Sequence, residues 1–451
     1  MRPTKFATLI PACIAVMAPC LSAQRALDLH IQDRVAQVEP DRIKAIVQSL
    51  VDFGTRHTLS DPAIPTRGNR AAQRWIIDHV KSLQALPGSR LQLYEERFMF
   101  GGNARIAEPV ELANLGAILP GTDPTRAKEV LVIAGHYDSL PSGRDVNADG
   151  PGAVDDASGV SISLEMARIM AAERPAITIY FVASAAEEQG LLGATHLAKR
   201  LKNEGYTVRG MVAVDILGNV RGINSSADNT TIRCFSEGVP GNETEAQKRI
   251  REALGGENDG LSREWARYVK RFGEPYSENL DIWLMLRRDR VGRGGDHTPF
   301  ANEGFPGIRF TDTYEHYDRQ HQIPRIENGR KYGDTMEFFD ENYVARVARA
   351  LLASFMHLSH APAPPIDVAI GGNGTANTIL RWKLPEDGNI TGLILYQRRS
   401  DSIHWQKTRA LPKSTEVVLR DVMLDNYVFA VATIDAKGNE SVPVYPASLL
   451  R

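Results

Sequence analysis

The sequence predicts an α/β fold, a mostly parallel central sheet sandwiched by helices, followed by a small all-β sandwich. Three observations predict it. Apolar strand runs, "EVLVIAGHYDS", "AITIYFVASAAEE" and "VRGMVAVDILG", alternate with the helical patterns "SGVSISLEMARIMAA" and "LLGATHLAKRLKNEG", and that alternation calls for right-handed crossovers and a sheet covered on both faces. A proline-rich stretch, "APAPPID", ends the pattern near residue 361. Beyond it come short alternating strands separated by turn residues.

Taken in chain order, the first segment carries Arg2 and Lys5, then the apolar run "FATLIPACIAVMAPCLSA" and a small residue at Ala23. This is the layout of a secretory signal peptide spanning 1–23, with no stop-transfer segment behind it. Pro11 and Pro19 argue against a buried helix there, and Leu21 leaves the cut site open. Cys13 and Cys20 lie inside the segment without a lipoprotein context. After cleavage Cys234 is the only cysteine left, so an exported protein would have no disulfide framework. "TIRCFSEG" offers that thiol no adjacent base and reads as a packed residue.

The unit expected over 24–360 opens with two helical patterns, "RIKAIVQSLVDFG" and "NRAAQRWIIDHVKSL", and a strand, "LQLYEERFM". The stretch 219–295 is polar and glycine-rich with one long helical pattern, "NETEAQKRIREALG", and is expected to form a rim around the site. "NYVARVARALLASFMHLSH" closes the unit as an amphipathic helix. Residues 361–367 read as a linker. The segment 368–451 resembles a fibronectin type III module, with Trp382, Tyr396, Leu419 and Tyr427 in core places. It carries no chemical motif and no aromatic strip for sugars, and reads as a spacer or docking element.

With 451 residues, Lys+Arg 53 against Asp+Glu 55 and 43% hydrophobic content, the chain is globular and has no basic excess to attract nucleic acid or an anionic membrane. The chemistry sits at strand ends, where ligands bind in open parallel sheets. His136 and Asp138 end one strand run, Glu187 and Glu188 the next, and Asp215 the third; Asp155 and Asp156 in "GAVDDASG" open the helix after the first. So many carboxylates at one place repel unless a cation holds them. Carboxylates mixed with histidine form the ligand set of zinc or a similar transition metal, which makes one aspartate of the 155–156 pair a bridge between metals.

Together "GHYDS", "GAVDDASG", "AAEEQGLLGA", "VAVDILGN" and "GGDHTPF" resemble the co-catalytic di-zinc aminopeptidases of metallopeptidase clan MH, in their secreted bacterial branch, over about residues 40–355. The resemblance implies the zinc exopeptidase fold, two Zn2+ per chain with Co2+ or Mn2+ as substitutes, and peptide substrates. Its residue assignments are His136 and Asp215 on one zinc, Glu188 and a later histidine on the other, and Asp155 on both. Asp138 would orient His136, and Glu187 would be the general base. "TYEHYDRQHQI" offers His316 and His321 as the later histidine; "RQHQ" resembles the form found in one bacterial branch and favours His321. Asp156 would serve geometry through a strained peptide next to the bridge. Asp296 and His297 of "GGDHTPF", with Arg293, would line the substrate region, whereas His196 reads as helix surface.

The implied reaction is hydrolysis of the first peptide bond of a chain by an exported protein, periplasmic or secreted, with no membrane span after signal removal. Three alternatives compete with this reading. A glutaminyl-cyclase-like relative would bind one zinc, and a carboxypeptidase-like one would use the run Arg287, Arg288, Arg290 and Arg293 for a terminal carboxylate. An inactive binding protein would have lost ligands, which this chain has not. The third possibility gives the function to the C-terminal module.

Overall fold

The computed structural model describes residues 26–143 and 145–450; the expected signal segment, with Cys13 and Cys20, lies outside them. Three helices lead in: α1 (Leu29–Val35), α2 (Pro40–Val51) and α3 (Asn69–Gln84). Apolar side chains recur at three- and four-residue spacing in the last two, and Ile43, Ile46, Val47 and Leu50, then Ala72, Ile76, Val80 and Leu83, are the ones buried.

An eight-stranded sheet follows. Its strands are β1 (Gln92–Phe100), β2 (Val110–Leu119), β3 (Glu129–His136), β4 (Thr178–Ser184), β5 (Thr207–Val214), β6 (Thr231–Ser236), β7 (Asp281–Met285) and β8 (Gly307–Asp312), in the order β1–β2–β4–β3–β5–β8–β6–β7. Only the middle is uniformly parallel: β4, β3, β5 and β8 run together, while β2 against β4 and β6 against β8 are antiparallel. Four of its seven strand pairings are parallel, β6 with β7 among them, so the sheet is mostly parallel with antiparallel pairings toward its edges. Helical crossovers enforce parallel pairing through α4 (Ser158–Met170) and α5 (Leu192–Asn203), and the short connection between β1 and β2 allows the opposite direction.

Alternation along β3 assigns the two faces. Leu131 and Ile133 join the core that includes α2, α4 and the closing helix, and Val130, Val132 and Ala134 join the one built on α5. Two glycines let α4 reach β3. A Cβ at Gly135 would stand 2.3 Å from the Gly159 carbonyl carbon, and one at Gly159 would stand 2.2 Å from the Val214 oxygen. "GHYDS" and "DDASG" thus carry their glycines for close approach of helix and strands.

The expected rim region holds more order than one helical pattern. Besides α6 (Glu245–Leu254) it contains β6, β7 and α7 (Leu261–Gly273), and α8 (His297–Asn302) follows it. Three charged positions of α7, Arg263, Glu264 and Arg267, are buried along with most of the apolar ones, and Lys270 and Arg271 are half-buried. A small hairpin, β9 (Arg325–Glu327) and β10 (Arg330–Tyr332), precedes α9 (Glu341–His360). Among the described residues no helix is long and apolar enough to cross a membrane.

The C-terminal segment forms two facing sheets from β11 (Ile366–Gly371), β12 (Thr378–Lys383), β13 (Gly392–Arg399), β14 (Lys407–Pro412), β15 (Glu416–Leu419), β16 (Tyr427–Ile434) and β17 (Ser448–Leu449). Trp382, Tyr396 and Leu419 are buried and Tyr427 is half-buried. The stretch expected as a linker is itself packed. Arg126 donates to the Ala361 carbonyl at 2.6 Å, Thr433 donates to that of Ala363 at 2.8 Å, and β11 already begins at Ile366.

Buried polar contacts also fix the sandwich on α7. Glu264 accepts from Trp405 Nε1 at 2.8 Å and from the Tyr445 hydroxyl, and pairs with Arg267, which donates to the Ile403 carbonyl at 2.7 Å. Glu264→Ala would leave buried Arg267 with only the more distant Asp259, at 3.7 Å, as counter-charge and would take the acceptor from Trp405 and Tyr445. The expected cost is about 3–5 kcal/mol, read as a lowered urea midpoint.

Candidate metal centre

The parallel strands β4, β3 and β5 end side by side, so residues at their carboxyl ends share one crevice. His136 is the last residue of β3, Asp215 follows β5, and Glu187 and Glu188 follow β4 after a short turn. Asp155 and Asp156 lie in the turn 153–157 before α4, joined by a cis peptide. Their side chains have different partners. The Asp156 carboxylate accepts from the His136 and Gly159 backbone N–H groups, each at 2.9 Å, and from the Ser158 hydroxyl at 3.0 Å. It pins strand to helix.

Asp155 spans the crevice. Its Oδ1 is 3.1 Å from His136 Nε2 and its Oδ2 is 3.1 Å from His321 Nε2. His136 Nε2 is also 3.8 Å from Asp215 Oδ1, and His321 Nε2 is 2.8 Å from Glu188 Oε1. Two ligand groups result, His136/Asp155/Asp215 and Asp155/Glu188/His321, with a third, His136/Glu187/Glu188, overlapping both; within each, the ligand atoms lie within 4.8 Å of one another. His316 belongs to none of them. His321 reaches the crevice from a backbone with φ +53°, a region that non-glycine residues rarely occupy.

These residues fit a zinc pair. His136 Nε2 and Glu188 Oε1 are buried and have no hydrogen-bond partner, and buried polar atoms ordinarily have one. Imidazole nitrogens and carboxylate oxygens are zinc donors. Desolvation pushes the Glu187 carboxyl well above its ordinary value, His136 opposing and Asp215, Glu188 and Asp296 adding to the rise. Burial disfavours a charged His321, but its ion pairs with Asp155 and Glu188 outweigh this and raise it to about 11. Carboxylates this crowded attract any cation within reach.

Asp138 touches both halves of the centre. Its carboxylate accepts from the backbone N–H groups of Glu187 and Glu188, each at 3.1 Å, and lies 3.6 Å from His136 Nδ1. The Asp138 carbonyl is nearer that nitrogen, at 3.1 Å. It therefore orients Glu187 and Glu188 as much as His136. Asp296 accepts from the Ser184 hydroxyl at the end of β4, and burial raises its carboxyl to about 6 against the opposing pull of His136.

His297 is fully buried, its Nε2 donating to the Arg288 carbonyl at 2.8 Å. Burial drives its imidazole down to about 4 despite nearby Asp289. The unfolded chain takes up this proton near pH 6.5 and the folded protein does not, so stability falls as pH drops from 6.5 towards 4. The loss expected from this residue is about 3 kcal/mol. Urea unfolding at pH 7.5 and 4.5 should show it in the parent and not in His297→Gln.

Three of the four arginines of the run are paired with carboxylates, and Arg287 is exposed. Arg290 is 2.7 Å and Arg293 3.5 Å from Glu315, which also pairs with Arg233 at 2.7 Å, and Arg288 lies 3.5 Å from Glu237. A terminal carboxylate would have to compete with Glu315. His196 stacks on Phe98, with ring centroids 4.0 Å apart.

Three residues went unnoticed in the sequence. Asp334 accepts from the backbone N–H of Asp155 at 2.7 Å and of Val154 at 2.9 Å. Arg56 donates from buried positions to the carbonyls of Tyr137, Leu50 and Gly152. Arg309, in β8, pairs with Asp215 at 3.0 Å. Only Arg309 left a signal, as a lone charge inside the apolar run "GIRF".

The model of peptidase family M28 matches residues 114–353. A probable zinc metalloprotease of Leptosphaeria maculans is 38% identical over 419 residues, covering 92% of this chain and 96% of its own, and one of Phaeosphaeria nodorum is 35% identical over 442 residues, covering 94% and 88%. These relatives are fungal, so the bacterial origin expected from the motif forms has no support in them. Among solved structures, LapA of Legionella pneumophila has a similar fold, with a TM-score of 0.52 at 17% identity over 75% of this chain and 78% of its own.

Proposed function

This chain belongs to peptidase family M28 and is a zinc metallopeptidase, and on that premise we propose that it is an aminopeptidase holding two zinc ions. The observation that carries the reading is Asp155, whose two oxygens each face a different histidine at 3.1 Å. In this reading His136 and Asp215 complete one position, Glu188 and His321 the other, and Asp155 serves both.

A zinc pair supplies Lewis acidity, making water acidic near neutral pH and polarising a carbonyl. The chain does the rest. Glu187 takes the proton of the attacking water and passes it to the nitrogen that leaves. Asp138 holds Glu187 in register through the backbone, and Asp334 does the same for Asp155. Asp296, His297 and Arg293 belong to the wall on which a peptide would lie. The layout of residues 1–23 supports export, and residues 368–451 form a fibronectin type III-like sandwich seated on the peptidase unit.

The test is zinc content per chain together with release of aminoacyl reporter groups before and after chelation. About two zinc ions per chain and release that stops on chelation are expected. One zinc without release would favour a cyclase-like reaction, and release only from internal or carboxyl-terminal positions would reject the aminopeptidase assignment.

A further inference from the structure

The geometry points to Arg309 as a positioning residue that fixes the metal-ligand carboxylate of Asp215 and ties it to the substrate wall; the inference rests on the dinuclear reading above. Arg309 lies in β8, opposite Ala213 of β5, and Asp215 N–H donates to the Phe310 carbonyl at 3.1 Å. The neighbours Ile308 and Phe310 join the apolar core. The guanidinium, in a residue only 1% exposed, turns to Asp215 instead.

Its two ends do different things. Nη2 sits 3.0 Å from Asp215 Oδ2, leaving Oδ1 to face His136. Where Asp155 offers both oxygens to the centre, Asp215 offers one. Nη1 pairs with Asp289 Oδ2 at 3.3 Å and donates to the Gly294 carbonyl, and both partners lie in the loop that leads to Asp296 and His297. That loop approaches so closely that a Cβ on Gly295 would stand 2.7 Å from Nη1.

One planar cation thus sets the rotation of a ligand carboxylate and the position of the wall beside it. Lysine, a point charge on a flexible stem, cannot hold both partners in fixed geometry. Buried arginines elsewhere support the fold without this link. Arg267, at the junction with the sandwich, is an example.

The experiment compares the parent with Arg309→Lys, Arg309→Met and Arg267→Met, each loaded with zinc. Zinc retained per chain is measured against graded chelator without substrate, and KM and kcat are measured separately. In the Arg309 variants one of the two ions should leave at about 10- to 100-fold lower chelator strength, more readily in Met than in Lys, and KM should rise as the wall loosens. Arg267→Met should lower the thermal midpoint and still retain both ions.

Parent-like zinc retention in the Arg309 variants would overturn the proposal, as would equal zinc loss from Arg267→Met. If Arg309→Met does not fold, Arg309→Lys, which keeps the buried charge, decides alone. A parent enzyme that holds fewer than two zinc ions would reject the dinuclear reading instead.

Discussion

Glu187→Gln should retain two zinc ions per chain and lose turnover by about 10²- to 10⁴-fold, the range that a positioned general base contributes. The substitution keeps the shape of the side chain and removes its ability to carry a proton. The five proposed ligands, His136, Asp155, Asp215, Glu188 and His321, stay in place, and Glu187 figures only in the overlapping third group. The backbone N–H of Glu187 still donates to Asp138. KM should therefore change little while kcat falls. Metal analysis and steady-state kinetics on one preparation read both quantities, and full turnover would remove Glu187 from the mechanism.

Asp155→Ala should do the reverse and remove the metals first. Each oxygen of Asp155 faces one histidine, so its loss takes a donor from both positions at once. Losing a group that merely supports a ligand costs about 10- to 100-fold in affinity or activity, and losing a shared ligand should cost at least that. Fewer than two zinc ions per chain are expected at chelator strengths the parent tolerates, with kcat/KM down by more than about 10²-fold. Retention of both ions would show that Asp155 is not shared. Asp156 would not reproduce the effect, because its carboxylate is committed to the His136 and Gly159 backbone.

Much of the site was legible because its residues sit where the sheet's topology gathers them. "GHYDS" and "AAEEQG" end apolar strand runs, and β3 and β4 pair in parallel with His136 opposite Ser184, so their acids and histidine meet without help from distant segments. The choice between His321 and His316 followed a family form rather than physics. The structure puts His321 against Glu188 and gives His316 no place in a ligand group.

Arg309, Asp334 and Arg56 were not legible, since each acts across more than 80 residues of chain on the backbone or carboxylates of the centre. The same limit hid α7. Its charges look like a solvated face until Trp405 and Tyr445 arrive from the far end of the chain to cover them. Composition marked the proline-rich stretch as a linker, and only the fold reveals that hydrogen bonds from Arg126 and Thr433 anchor its carbonyls.

By itself, then, the sequence determined the α/β alternation, the strand ends that carry carboxylates and histidine, and the glycines that let α4 close on β3. Those depend on period, local propensity and the steric size of single residues, which a chain carries in its order. Only the tertiary structure decided which aspartate faces the centre, which edges of the sheet run antiparallel, and which buried cation orients Asp215. These are settled by contacts between segments far apart in sequence, where desolvation makes each charge find a partner.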